Sequence, residues 1–310
     1  MKGFNWLLMF LIAAFLITGT FFACGTSGDD DDTGTPPADD DTGADDDSAA
    51  DDDTVVDDDT GTGDDDTSDD DSGAAGTISG TATDFKTDNP IPGAWVEAIN
   101  DETGLSFDPQ IKLQADQDGK VTLTGIPVTE TSVGIKVSTS GYKDTYQFHF
   151  AVGATNEKFL GISQFLINVI SGLLGITLDP NKISAAGAVY WGNEFDKNPV
   201  GCSEVTFAPP APADSVHYFT HSELLGDLPT KDRDIGTPGD PQNGEGTNPL
   251  NGYFVAINVD PVAYTISANA DSHISTSLLP TVPADSVAIS DVYFDKGTYP
   301  TNPTGSWCTE

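Results

Sequence analysis

Four histidines, His149, His217, His221 and His273, are the side chains of this chain best suited to metal or acid–base work. His217 and His221 stand four apart in a stretch that reads as strand, so both point to one face. With Glu223 close behind they could ligate zinc, although the helical HExxH spacing is absent and a surface pair on a strand is the blander account. From Glu223 to Asn251 runs a long Pro/Gly-rich stretch holding Asp232, Asp234, Asp240 and Glu245. Loops of this length are functional or disordered, and carboxylates so grouped could gather calcium. No Gly-x-Ser-x-Gly elbow and no Gly-rich phosphate loop with Lys occurs. Paired carboxylates carry no information in so acidic a chain. The expectation is a protein with no catalytic residue and no cofactor, with His217, His221, Asp232 and Asp234 as weak metal candidates.

Aromatic pairs offer a different chemistry. Tyr190-Trp191, Tyr218-Phe219, Tyr253-Phe254 and Tyr293-Phe294 each fall in an apolar stretch. On a strand, alternation sends one ring of each pair inward and the other outward. Outward rings gathered on one sheet would form a platform for sugar rings or a partner protein; otherwise they are scattered or packed under a neighbouring domain.

The chain must be positioned before any such surface can act. Met1 to Ala23 reads as a leader: Lys2 gives a positive start, Trp6 to Ile17 is almost wholly apolar, and Ala23 is a small residue before a polar switch. An uncleaved transmembrane helix is the alternative, and by the charge rule it too would export the remainder of the chain. Phe21-Phe22-Ala23-Cys24 resembles the lipobox of bacterial lipoproteins. Ala23 and Cys24 match, while Phe21 and Phe22 stand where the pattern favours Leu and a small residue. The resemblance implies lipid on Cys24, and Gly25 in the next position implies the outer membrane or cell surface if the cell is Gram-negative. With Cys24 taken for lipid, Cys202 and Cys308 are left as one pair that should close as a disulfide outside the cytoplasm; two separate thiols remain the other option.

Asp29 to Asp71 contains 22 aspartates and no glutamate, spaced by Thr, Gly, Ala and Ser, with triplets opening at Asp39, Asp45, Asp51 and Asp57. Such a stretch buries no core and repels itself. A neutral flexible linker of about 50 residues averages roughly 40 Å end to end, and charge repulsion extends it further. The whole chain carries 50 acidic and 12 basic residues, a formal charge of -38. Nucleic acid is excluded as a partner, because its phosphates must be met by cations.

After Gly76 the pattern changes to short alternating runs, among them Ala94-Trp-Val-Glu-Ala-Ile, Lys120-Val-Thr-Leu-Thr and Val133-Gly-Ile-Lys-Val, separated by turns at Asn89-Pro90, Asp118-Gly119 and Ser140-Gly141. Short strands so spaced predict a mainly β, antiparallel sandwich. The order Asn89-Pro-Ile-Pro-Gly-Ala-Trp-Val, Asp116-Gln-Asp-Gly-Lys-Val-Thr-Leu-Thr-Gly-Ile-Pro and Val133-Gly-Ile-Lys-Val-Ser-Thr-Ser-Gly-Tyr resembles carboxypeptidase regulatory-like domains. That resemblance implies a prealbumin-like, seven-stranded sandwich over residues 77 to 150, and it brings no catalytic residues. Apolar positions Phe165, Leu166, Val169, Ile170, Leu173 and Leu174 predict a packing helix over 162–174, with Ser163 and Gly175 as caps, in a connector over 151 to 185. From Ala186 to Glu310 a second, divergent sandwich is expected: Gly187-Ala-Val-Tyr-Trp, Asn198-Pro-Val-Gly and Gly252-Tyr-Phe-Val repeat the order of the first. Pro212-Ala-Asp-Ser-Val recurs as Pro283-Ala-Asp-Ser-Val, each read as a turn before a strand. The functional expectation is an exported lipoprotein (residues 1–23 removed, 24–76 a disordered tether) that binds an extracellular protein or glycan. A structural spacer or assembly subunit comes second, and a metal-dependent hydrolase third.

Overall fold

Alternation along the strands decides the architecture, because each strand buries one side and wets the other. Val133, Ile135 and Val137 are at most 1% exposed, with Lys136 turned to the opposite face. A computed structural model describes residues 75–192, 198–220, 227–230, 252–270 and 273–295, all within one unit, Thr67–Glu310. Cys24, the aspartate-rich segment, His221, Glu223, Asp232, Asp234, Asp240, Glu245 and Cys308 lie outside the described residues.

The fold is mainly β. In the first half β1 (Gly76–Asp84) lies between β4 (Lys120–Ile126), antiparallel, and β8 (Glu157–Ser163), parallel, with the short β6 (Tyr142–Lys143) beyond β8. Facing it are β3 (Ser106–Gln114), β2 (Trp95–Asn100), β5 (Ser132–Ser138) and β7 (Thr145–Ala151), all antiparallel. Ile78, Leu123 and Phe159 from one layer close on Val96, Ala98 and Ile135 from the other. Gly80 is required where it is: a Cβ there would sit 2.4 Å from the Glu157 carbonyl oxygen and 2.8 Å from the Phe159 ring.

In the second half β9 (Ile183–Trp191) has β14 (Tyr253–Val259) antiparallel on one side, followed by β12 (Val216–Thr220) and β13 (Leu228–Thr230). On its other side β17 (Val287–Ile289) and β18 (Val292–Phe294) run parallel to it, and β10 (Asn198–Pro199) pairs with its end. A three-stranded sheet of β11 (Glu204–Ala208), β15 (Tyr264–Ala270) and β16 (His273–Leu279) completes this half. In both halves the first strand therefore lies between an antiparallel neighbour and a parallel one from the half's end. The repeated Pro-Ala-Asp-Ser-Val segments are turns, with Asp214 and Asp285 at positive φ (58° and 61°), and they lead into β12 and β17.

The halves are joined by pairing, not by the connector alone. β17 runs parallel to β9 on one edge and parallel to β7 on the other, so a single sheet continues from β13 to β3. Ile99, Tyr146 and Phe148 of the first half enter the same core as Ile183, Ala288 and Phe254 of the second. Lys143 reaches across to the Asp285 carboxylate, and the Val287 amide donates to the Asp144 carbonyl at 2.9 Å.

The helix α1 (Gln164–Leu174) starts at Ser163, whose Oγ accepts the Leu166 N–H at 3.2 Å, and ends at Gly175 in the left-handed region. Ile170 and Leu174 pack on Phe219, Val255 and Ile257. The connector is shorter than the sequence suggests. β8 lies inside the span expected to link the halves, yet Phe159 is fully buried in the first core. Its last apolar residue, Ile162, merges in sequence with the apolar run of the helix, which hides the boundary. β9 likewise opens at Ile183 rather than Ala186.

Candidate functional site

Of the eight paired aromatics, five are structural. Tyr218, Phe254 and Phe294 are each 1% exposed in the second core, and Trp191 packs against it. Phe219 is buried beneath α1. The Tyr218 hydroxyl is used within that core, where it accepts the Val205 N–H at 2.9 Å. Their alternation partners Tyr190, Tyr253 and Tyr293 are half-buried on strands β9, β14 and β18. Tyr293 is the register partner of Tyr190, and their rings lie 5.7 Å apart at 30°. Tyr253 pairs with Ala188, two residues before Tyr190 and so on the same side of the sheet. Its ring meets Phe219 edge-on at 5.9 Å and Phe85 of the first half at 6.2 Å.

Carboxylates surround these phenols. Asp291 accepts the Ala188 N–H at 2.9 Å and the Tyr293 hydroxyl at 3.3 Å. Burial, then the charge of Asp291 and the neighbouring phenols, drives the Tyr190 pKa far up. Tyr253 is raised by burial and then by Asp227, Asp291 and Asp88. Asp88 in turn is bridged by Lys158 at 3.0 Å. With both pKa values raised, Tyr190 and Tyr253 are uncharged at neutral pH.

A second cluster was invisible in the sequence. The His149 backbone N–H and Nδ1 contact the Asp101 carboxylate at 2.7 and 3.0 Å, and Ser132 Oγ donates to it at 2.7 Å. On the far side of the ring, Nε2 lies 3.0 Å from the Leu278 carbonyl oxygen and 3.1 Å from Ser277 Oγ. Ser277 and Ser290 hydroxyls meet at 2.7 Å, and Ser290 Oγ also donates to the Leu278 carbonyl at 3.1 Å. The order Asp–His–Ser has the layout of a hydrolytic relay, in which Nε2 must offer a lone pair to the serine. Here Nε2 faces the Leu278 carbonyl, which Ser290 Oγ also reaches, and Nδ1 faces Asp101, so each acceptor can take an N–H from the ring. Both are supplied at once only by the imidazolium. Burial disfavours that charge, but the hydrogen bond and charge of Asp101, with the Leu278 carbonyl and Asp291 adding to them, hold the His149 pKa above its ordinary value. Burial would likewise raise Asp101, and the His149 contacts outweigh it and hold that pKa low. The cluster is built as an ionic clasp that ties Asp101, after β2, and His149 on β7 to Ser277 and Leu278 on β16 and to Ser290 just after β17.

No local signal marks it. Asp101, His149, Ser277 and Ser290 are spread over most of the β body, and His149 itself sits at φ 70°, a conformation uncommon for any residue but glycine. Of the metal candidates, His217 is buried on β12. Among the described residues no group of three or more His, Cys, Asp or Glu side chains is placed to hold a metal ion. No helix among them is long and apolar enough to cross a membrane.

No family model matches this chain, and no curated protein matches it. Among solved structures it is similar to a streptococcal ancillary pilin, at 10% identity and a TM-score of 0.21 over 72% of this chain and 63% of that one. The shaft pilin SpaA from Lactobacillus rhamnosus GG gives 10% identity and a TM-score of 0.21, over 71% of this chain and 97% of the pilin. GBS52, the minor pilin of Streptococcus agalactiae, gives 8% and 0.19, over 71% and 94%. Scores of this size carry no argument about family or function, so function must be argued from the chain itself.

Proposed function

We propose that the chain is an exported, non-catalytic lipoprotein that displays a rigid β body for binding. In this reading Cys24 carries the lipid, Gly25 directs it to an outer membrane, and the aspartate-rich segment holds the body away from the surface. Cys202 and Cys308 form a disulfide that ties down the end of the chain. The face carrying Tyr190, Tyr253 and Tyr293 meets an extracellular protein or glycan. The observation that supports binding is the sorting of the aromatics: their sequence neighbours fill the core, while these rings from three strands gather on one side of one sheet. The continuous sheet supports the display role, because a body without a hinge at its middle presents that face in a fixed geometry. The same continuity favours a second reading, a spacer or subunit of a surface assembly.

Pull-down from cell-surface extracts and glycan-array binding by the intact protein separate the two. Binding that is lost in Tyr190→Ala/Tyr253→Ala, with an unchanged melting temperature, supports the first. A wild type silent on both panels supports the spacer.

A further inference from the structure

The second half covers only part of the outer face of the first-half sheet. Along β2 that face carries Ile99, Glu97 and Trp95 at two-residue steps. Ile99 is 1% exposed, Glu97 3% and Trp95 44%, so the cover ends between Glu97 and Trp95. Ile99 and its neighbours Tyr146 and Phe148 lie in the core shared with the second half, which leaves Trp95 on a ledge beside that cover. Gln114 of β3 and Ser138 of β5 are the register partners of Trp95, and Lys112 and Lys136 are those of Glu97. Registered side chains share a face, so they form two adjacent rows.

The ledge is ordered before any ligand arrives. Lys112 Nζ lies over the Trp95 ring, 5.4 Å from its centroid. Gln114 Nε2 donates to the Gly93 carbonyl at 2.9 Å, which fixes the amide and leaves Oε1 to accept. The Glu97 carboxylate takes donors from Ser106 Oγ and, at 2.7 Å, Gln110 Nε2. Lys136 bridges Asp144 at 2.8 Å. The two lysines and the two carboxylates of this group therefore balance. A cationic partner would meet the ammonium already over the ring, and an anionic polymer would meet a chain of formal charge -38. An uncharged pyranose ring meets neither obstacle. Its C–H bonds carry small positive charge and lie well against an aromatic face, which is negative at its centre.

We infer that the Trp95 ledge is a binding site for a neutral oligosaccharide, separate from the tyrosine face and independent of it. One sugar ring stacks on the exposed indole, and its hydroxyls reach the Gln114 amide and the Ser138 hydroxyl in the same row.

The test uses the intact protein, labelled with 15N at tryptophan, in a detergent without a sugar headgroup. The Trp95 indole N–H signal is identified by its loss in Trp95→Phe. Cellohexaose, laminarihexaose and maltohexaose are titrated in turn, with hexagalacturonate as the charged comparison. At least one neutral hexaose should shift the Trp95 signal. By calorimetry Trp95→Ala should weaken that binding about fivefold, while Trp95→Phe, which keeps an aromatic face, should weaken it about twofold at most. Gln114→Ala should cost about fivefold. Tyr190→Ala/Tyr253→Ala should bind the hexaose as wild type does. A Trp95 signal that no neutral hexaose moves overturns the inference, as does equal affinity in wild type and Trp95→Ala. Hexagalacturonate bound more tightly than every neutral hexaose also overturns it. If binding is lost in the tyrosine double variant and kept in Trp95→Ala, the glycan sits on the tyrosine face: the proposed function stands and the ledge site falls. Melting temperatures within a few degrees of wild type qualify each variant, and the wild-type signal shift needs no variant of altered stability.

Discussion

Replacing His149 by alanine separates the protonated clasp from the packing around it. The ring supplies two charge-assisted contacts, to Asp101 at 3.0 Å and to the Leu278 carbonyl at 3.0 Å. Hydrogen bonds to charged groups contribute about 1.5–3 kcal/mol each when buried. The His149 side chain is 36% exposed and Asp101 9%, so solvent screens the pair and the lower end applies. Asp101 keeps Ser132 Oγ and the backbone N–H of residue 149 in the variant. The expected total loss is about 2 kcal/mol near pH 6. Part of it depends on pH. The folded pKa of His149 lies above the unfolded value of about 6.5, so its contribution is fully present below that value and is lost as pH rises through the folded pKa. A neutral ring has one N–H and must abandon either Asp101 or Leu278, at a cost of about 1 kcal/mol. Asp101 adds the opposite flank: its lowered pKa contributes stability above about pH 4 that is lost as pH falls through its folded value. The clasp is strongest between those limits. Urea unfolding followed by tryptophan fluorescence at pH 5.5 and pH 9 reads the effect directly. The wild type should lose about 1 kcal/mol more than His149→Ala between the two pH values. Equal losses, or a variant as stable as wild type at pH 5.5, would refute the imidazolium clasp.

Other perturbations probe the packing and the covalent ends. Gly187→Ala places a Cβ 2.2 Å from the Ser290 carbonyl oxygen and 2.8 Å from the Phe254 ring, so overpacking of about 2–3 kcal/mol is expected in thermal or urea melts. An unchanged midpoint would mean β9 and the β17–β18 turn are not in contact. Tyr218→Phe leaves the buried Val205 N–H without its acceptor and should cost about 1–2 kcal/mol, with no effect on ligand binding. Non-reducing peptide mapping should recover Cys202 joined to Cys308, and free thiols on both would reject the pairing.

Local signals and long-range pairings divide what the sequence discloses here. Ser163 and Gly175 cap the helix as their residue types suggest, and Gly93 and Gly119 take the positive φ that their turns need (73° and 75°). Each depends on neighbours a few positions away. β3 is harder to read, since Pro109 interrupts it and most of its residues are exposed, leaving no alternation to track. The joining of the halves through β17 cannot be read from Val287-Ala288-Ile289 alone. Three residues fix no direction of pairing, and their partners are Thr145 to Gln147 on one edge and Ser184 to Ala186 on the other. The aromatic pairs were legible as pairs because alternation is local, but which ring of each faces the core depended on the sheet's packing.

In the proposed function the tyrosine face binds outside the cell, and the anchor that holds the body there is lipid on Cys24. Mass spectrometry of protein extracted from membranes reads the mature N-terminus without reference to any ligand. The account predicts a chain that begins at Cys24 and carries lipid on that residue. A chain that begins at Met1, or an unmodified Cys24, would contradict it.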